Sequence, residues 1–259
     1  MPRSIYDFPD IFRRVHMEEP GEIEAEVKFL KRVWLRHMSR PVRRALDIGS
    51  GNSPHGQLLL NDGIDVAGID RSRAMTAAGQ RESGEAIRFY RRAIEHFTLP
   101  EPLFDAAFFM SETFPIITDN ADLVDHLRSV ARALRRGALY CVDVDRHDGV
   151  EIVKRRTLWR ERSVSVGPVV VEIREYHRPI TWWSGLQLVY ELECRVNFPG
   201  KRAFTTRDII PVRYTIPPML DLAARASGCF RLIAAYADLS FKRPLGRCYG
   251  RWWGVLRRS

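Results

Sequence analysis

The chain has little cysteine, and what it has is scattered. Its four cysteines, Cys141, Cys194, Cys229 and Cys248, include no Cys-x-x-Cys pair. That excludes a zinc knuckle or a disulfide framework and leaves free thiols in a reducing compartment as the expectation, with no metal site. Long apolar runs are missing too: nowhere do about 18 apolar residues follow one another, the length a spanning helix needs. The opening "MPRSIYDFPD" lacks the apolar stretch of a signal peptide, so a cytoplasmic protein with no membrane partner is expected. A Gly-Lys-Ser/Thr phosphate loop, a complete G-x-G-x-x-G, internal repeats and a long flexible linker are all absent.

What remains is a soluble globular composition, with 45% hydrophobic and 28% charged residues over 259 positions, enough for one large domain or one domain carrying an insertion. The formal charge is +9. Much of the excess lies in "FLKRVWLRHMSRPVRR" and "SFKRPLGRCYGRWWGVLRRS". Such a surface can attract nucleic acid, although arginine far outnumbers lysine throughout, as a general compositional bias would also produce.

Ile23, Val27, Leu30 and Trp34 recur at helical steps within residues 22–37, between Pro20-Gly21 and Pro41. "RRALDIG" then reads as a buried strand, followed by a Gly/Asn/Ser turn and a helix opened by Pro54. "GIDVAGID" is a second strand ending at Asp70, "AIRFYRR" a third, "FDAAFFM" a fourth and "ALYCVDV" a fifth. The helix before the fifth is expected to stop at Gly137. Five strands with four crossovers, alternating with helices, argue for a parallel sheet covered on both faces. From about 151 to 214 the period becomes two: Leu186, Leu188, Tyr190, Leu192, Cys194 and Val196 share one face. "VVVEIREYH" is its partner strand, and Ser184-Gly185 a hairpin turn before it. A last helix, with Thr215 as cap and Gly228 as stop, precedes two strands that can rejoin the main sheet.

The turn "LDIGSGNSPHG" is a ligand seat by its chemistry. Glycines between a first strand and its helix let a ligand approach the backbone. Asp70 ends the second strand about 20 residues later, where a carboxylate can take both hydroxyls of a ribose. Without phosphate-binding signatures a dinucleotide is disfavoured. Asp47, ill placed for a pyrophosphate, suits a ligand with a cationic amino group.

"LDIGSGNS" followed by "VAGIDRS" resembles the first two motifs of class I S-adenosylmethionine-dependent methyltransferases. The resemblance extends through "FDAAFFMSETF" and "GALYCVDV", resumes in "YTIPPMLDLAARASGCFRLIAAYAD", and includes "IYDFPDIF", similar to an amino-terminal segment that folds over the cofactor. It implies a Rossmann-like, doubly wound, mostly parallel α/β sheet with an inserted antiparallel β subdomain and a helical N-terminal lid. The units would be 1–40 for the lid, 41–150 with 214–259 for the core, and 151–213 for an insertion forming part of the acceptor pocket. It further implies that Asp47 and the turn Gly49, Ser50 and Gly51 hold the methionine end of S-adenosylmethionine. Asp70 would bind the ribose, Arg71 and Ser72 would flank the adenine, and Met110 and Ser111 would line the site after the fourth strand. Ser53 stands where many members have a third glycine. Ala93, beside Ile94, stands where an acidic residue often meets the adenine amino group, leaving that contact to backbone or to Glu95, or absent.

Methyl transfer from a sulfonium is a direct displacement that needs alignment, exclusion of water and, for some acceptors, a base. Strand-end loops offer Glu112, Asp145 and His147 for that role. Tyr6 can cover the sulfonium as an aromatic face; His55 can touch the methionine carboxylate or simply open its helix; one of Trp182 and Trp183 can wall the acceptor. The expected function is methylation of a nitrogen or oxygen of a small-molecule acceptor, yielding S-adenosylhomocysteine. Alternatives are an RNA-directed enzyme docking through the basic surface, disfavoured by Ser111-Glu112-Thr113-Phe114 where base methylases carry Asn-Pro-Pro-Tyr, and a degenerate domain kept for binding.

Overall fold

The computed structural model describes residues 4–16, 21–100, 102–144, 155–179, 187–242 and 250–259. The amphipathic stripe read at 22–37 forms α2 (Glu22–His37), which buries Val27, Leu30 and Trp34 as its spacing requires. Five strands follow in parallel: β1 (Arg44–Ile48), β2 (Asp65–Asp70), β3 (Arg88–Arg91), β4 (Phe104–Phe109) and β5 (Leu134–Val144). The helices α3 (Pro54–Asn61), α4 (Arg73–Ser83) and α5 (Asn120–Ala133) connect them, whereas the β3–β4 connection carries no helix among its described residues. α6 (Pro217–Ser227) leads to β10 (Phe230–Tyr236) and β11 (Trp252–Arg258). The sheet order is β10-β11-β5-β4-β1-β2-β3, with β11 antiparallel to both neighbours.

Strands such as Phe104–Phe109, apolar but for Asp105, are buried along their whole length because both sheet faces are covered. Val27, Leu30, Leu59, Val66, Phe108 and Cys141 meet on one face. Leu46, Phe109, Leu127, Tyr140, Leu220 and Trp252 meet on the other.

Two boundaries differ from the sequence reading. α5 stops at Ala133, not Gly137, because Leu134 is fully buried and already pairs with Phe104; Gly137, at φ 79°, lies inside β5 near a register shift. α6 is entered from Ile216, with no side-chain cap. Pro217 and Pro218 open the helix without N–H groups to satisfy; the Thr215 carbonyl instead accepts the Trp252 indole N–H at 3.2 Å. Gly228 does end α6, in the left-handed conformation.

The period-two region forms a second sheet, β6 (Thr157–Val166), β7 (Val169–His177), β8 (Gln187–Asn197) and β9 (Phe204–Arg213), antiparallel in that order. Leu192, Cys194 and Val196 are buried on one of its faces, as their alternation requires, against Val171 and Ile173. Ile5, Ile11 and Val15 complete this cluster, so the amino-terminal segment, a 3-10 turn at Ile5–Asp7 and α1 (Pro9–His16), packs on the second sheet. Asp208 of β9 fixes it, accepting the Ser4 hydroxyl at 2.6 Å and the Ile5 N–H at 3.0 Å. Ser184-Gly185, Trp182, Trp183 and Cys248 lie outside the described residues.

Candidate active site

The carboxyl ends of β1, β2, β4 and β5 share one edge of the main sheet, and the strand order reverses at β1, where open α/β sheets bind ligands. Gly49, Gly51 and Ser53 are all left-handed in the turn after β1, at φ 62°, 55° and 56°. A Cβ on Gly49 would lie 2.4 Å from the Phe109 ring, so both backbone and space demand glycine there. Ser53 takes the strained conformation with a side chain: its hydroxyl donates to Asp47 Oδ2 at 2.7 Å. Gly56 leaves it room, since a Cβ there would meet Ser53 Oγ at 2.2 Å.

Asp47 is buried, and burial pushes its carboxyl up to about 7; the His55 charge and the Ser53 hydrogen bond pull it down, and Asp70 adds to the rise. Asp70 Oδ2 accepts the Gly51 N–H at 2.9 Å and Oδ1 the Ser72 N–H at 2.7 Å. One carboxylate thus ties the glycine turn to the start of α4, where Ser72 caps by accepting the Met75 N–H at 3.2 Å. Each carboxylate oxygen has two acceptor sites, so both keep capacity for a diol.

Ser72 Oγ also donates to the Tyr6 carbonyl at 3.4 Å, bringing the amino-terminal segment beside Asp70. Burial, with Asp208 adding to it, pushes the Tyr6 phenol up to about 12, so it stays protonated at neutral pH; its ring packs on Phe12 with centroids 4.8 Å apart. The turn and the amino-terminal segment meet again at Glu82 of α4. It accepts from Asn52 at 2.8 Å and Gln57 at 3.1 Å and pairs with Arg13 of α1.

Arg71 and Ala93 are exposed, whereas Ile94 is buried in the core. The Ile94 carbonyl accepts from His126 Nδ1 at 2.7 Å, and His126 Nε2 lies 2.7 Å from the Tyr140 hydroxyl. Burial lowers His126 to about 4, leaving a neutral core imidazole. Ser50 and Met110 are buried beneath the turn and at the end of β4. Ser111 and Glu112, both exposed, follow at φ 57° and 55°. Two successive left-handed residues with side chains cost about 1–2 kcal/mol each, and such strain clusters at functional sites. Asp143 of β5 accepts the Glu112 N–H at 3.0 Å. Asp145 and His147 lie outside the described residues.

Sequence reasoning missed the side chains that join these pieces. His55 is buried and bonds Glu26 of α2. Glu26 also pairs with Arg251, which donates to Glu22 at 2.6 Å and from Nε to Asp143 Oδ1 at 2.9 Å, and lies 3.2 Å from a Glu112 oxygen. Burial opposes the charge on His55, yet Glu26, followed by Asp47 and Asp143, raises its pKa overall. Glu26 had a signal: at i and i+4 it shares the face of Leu30, on the buried stripe of α2. Asp143, inside an apolar strand, had a weaker one; Arg251 had none.

Among the described residues no group of His, Cys, Asp and Glu is arranged to hold a metal, and no helix is long and apolar enough to cross a membrane.

Residues 45–137 match the model of the methyltransferase domain family. The whole fold is similar to a sugar N-methyltransferase from Streptoalloteichus sp., at TM-score 0.75 and 21% identity over 100% of this chain and 94% of that one. It is also similar to DesVI of Streptomyces venezuelae, at TM-score 0.74 and 16% identity over 98% and 99% of the two chains. An amino pentose methyltransferase from Micromonospora echinaspora, with S-adenosylmethionine bound, matches at TM-score 0.70 and 15% identity over 100% and 98%. No curated protein sequence matches. Residues 45–137 thus carry a methyltransferase domain, and the fold around them is that of class I S-adenosylmethionine-dependent methyltransferases. S-adenosylmethionine is the methyl donor of that class.

Proposed function

We propose that the enzyme methylates the amino nitrogen of a small, sugar-like acceptor. The observation that carries this reading is a carboxylate surplus at the carboxyl ends of β4 and β5. Glu22, Glu26, Asp143 and Glu112 gather around a single arginine, Arg251, with Glu112 turned out at the strand end. Such a surplus draws a cationic amine and offers nothing comparable to a neutral hydroxyl. The sugar-like size comes from the solved relatives, two of which act on sugars or amino pentoses by their descriptions.

The residues at the turn fit the cofactor's chemistry. Gly49 and Gly51 would present bare backbone to its methionine end, Asp47 would face its ammonium, and Asp70 would take the ribose hydroxyls. Arg71 and Ser72 would border the adenine, with the backbone at Ala93 and Ile94, while Met110 and Ser111 would line the floor. When bound, the cofactor supplies an electrophilic methyl group on a sulfonium. The protein's part is to align the acceptor nitrogen in line with that methyl and exclude water. Glu112 would orient the incoming ammonium and accept its proton, which frees the lone pair for displacement. Tyr6, protonated and carried by a segment anchored to both α4 and β9, would cover the sulfonium with its ring. The segment 1–40 and the insertion 151–213 would form the remaining walls, with His147 a second candidate base.

Mass spectrometry of S-adenosylhomocysteine formation with amino sugars and their hydroxyl analogues tests this. Turnover confined to the amines is expected; turnover of the hydroxyl analogues, alone or equally with the amines, would overturn it.

A further inference from the structure

Arg251 stands just before β11 and reaches three separate elements at once. It pairs with Glu22 and Glu26 on α2, Asp143 at the end of β5, and Glu112 in the loop after β4. From Glu26 the chain of contacts continues to His55, at the start of α3, directly after the glycine turn. From Asp143 it continues to the N–H of Glu112, inside the left-handed Ser111–Glu112 pair. His55, Glu26 and Asp143 are buried.

We infer that Arg251 is a positioning residue that couples the cofactor turn to the acceptor loop, through Glu26 and His55 on one side and Asp143 on the other. The inference rests on the methyltransferase reading for what the two ends bind. A planar guanidinium presents five donors in a fixed fork, so the two carboxylates it holds cannot shift independently. Displacing Asp143 frees the Glu112 N–H and with it the strained turn; displacing Glu26 frees His55 and the first turn of α3. A ligand that orders one end therefore orders the other, and such coupling is reciprocal. The charged groups facing Arg251 and His55 from every packed element are Glu22 and Glu26 (α2), Asp47 (β1), Glu112 (the β4 loop) and Asp143 (β5). Their acidic excess keeps the guanidinium protonated against the effect of burial.

The test compares the wild type with Glu26→Gln, Arg251→Lys and the double variant, by calorimetry with S-adenosylhomocysteine and by hydrogen exchange of the peptides covering 49–56 and 110–113. Each single variant is expected to weaken binding about tenfold, and the double variant no more than the worse single. In ligand-free protein each variant should speed exchange in both peptides, while β7 stays protected. Arg251→Lys keeps the charge, so a purely electrostatic structural role would be rescued by it, and a coupling role would not. Two outcomes overturn the inference: losses that multiply in the double variant, or Glu26→Gln loosening 49–56 alone while Arg251→Lys loosens 110–113 alone. If the wild type fails to bind S-adenosylhomocysteine, the cofactor assignment falls, and the ligand-free exchange pattern still decides the coupling.

Discussion

Ser53 donates its hydroxyl to buried Asp47 at 2.7 Å from a left-handed backbone, φ 56°, that glycine would hold without strain. The serine accepts a conformational penalty and, in return, gives a buried carboxylate its hydrogen bond. Ser53→Ala keeps the strain and removes the bond, and is expected to destabilise the protein by about 1–3 kcal/mol. Ser53→Gly also relieves about 1–2 kcal/mol of strain, so it should be the milder variant. Denaturant melts of the two check the order.

Facing the cofactor's ammonium as proposed, Asp47 would give cofactor binding a pH dependence. Its folded value of about 7 lies above the ordinary carboxylate range, so near pH 6 the ligand-free site is mostly protonated. A bound ammonium favours the carboxylate, so affinity should rise about tenfold between pH 6 and 8, with proton release at the lower end. For stability the sign is opposite: a raised acid pKa stabilises the folded state only while the group is protonated there, and that contribution is lost as pH rises from about 4 to 7. Asp47→Asn should flatten both dependences. Calorimetry in buffers of different ionisation enthalpy measures the first, and melts across pH the second.

Asp70 has a structural duty beside the ribose binding proposed for it, since its carboxylate already holds Gly51 and Ser72. Asp70→Ala is expected to weaken S-adenosylhomocysteine binding by about 10–100-fold, the worth of one or two charged hydrogen bonds. Asp70→Asn, which keeps one acceptor oxygen, should lose less. Unchanged affinity in Asp70→Ala would remove the ribose from this position.

Glu112→Gln separates binding from chemistry. The side chain sits beyond the turn proposed to seat the cofactor, and its N–H bond to Asp143 survives the change. Cofactor affinity should stay within about threefold while turnover falls by about 10²–10⁴. Steady-state kinetics with the amine acceptor read both quantities.

Most of the fold was legible because it follows from periodicity. Val27, Leu30 and Trp34 mark one helix face, and Leu192, Cys194 and Val196 mark one sheet face. Gly137 misled because left-handed glycine ends helices and relieves irregular strands alike, and only the pairing of Leu134 with Phe104 decides between them. The glycine turn and Asp70 were legible as neighbours at fixed spacing, and the Gly51 N–H joins them. The Arg251 cluster was not: Glu22, Glu26, Glu112, Asp143 and Arg251 come from distant parts of the chain. No local pattern encodes their meeting, and a charged residue on a helix is ordinarily a solvated one. His55 fell between the two, placed in the right turn but directed at Glu26, a partner the turn itself does not contain.

The most direct measurement of the central claim is methyl transfer from S-adenosylmethionine to a matched pair of acceptors, an amino sugar and its hydroxyl counterpart, with wild type and Glu112→Gln side by side. Wild type is expected to methylate the amine and leave the hydroxyl untouched, with Glu112→Gln binding cofactor normally and turning over far more slowly. Equal methylation of both acceptors, or full activity in Glu112→Gln, would contradict that claim.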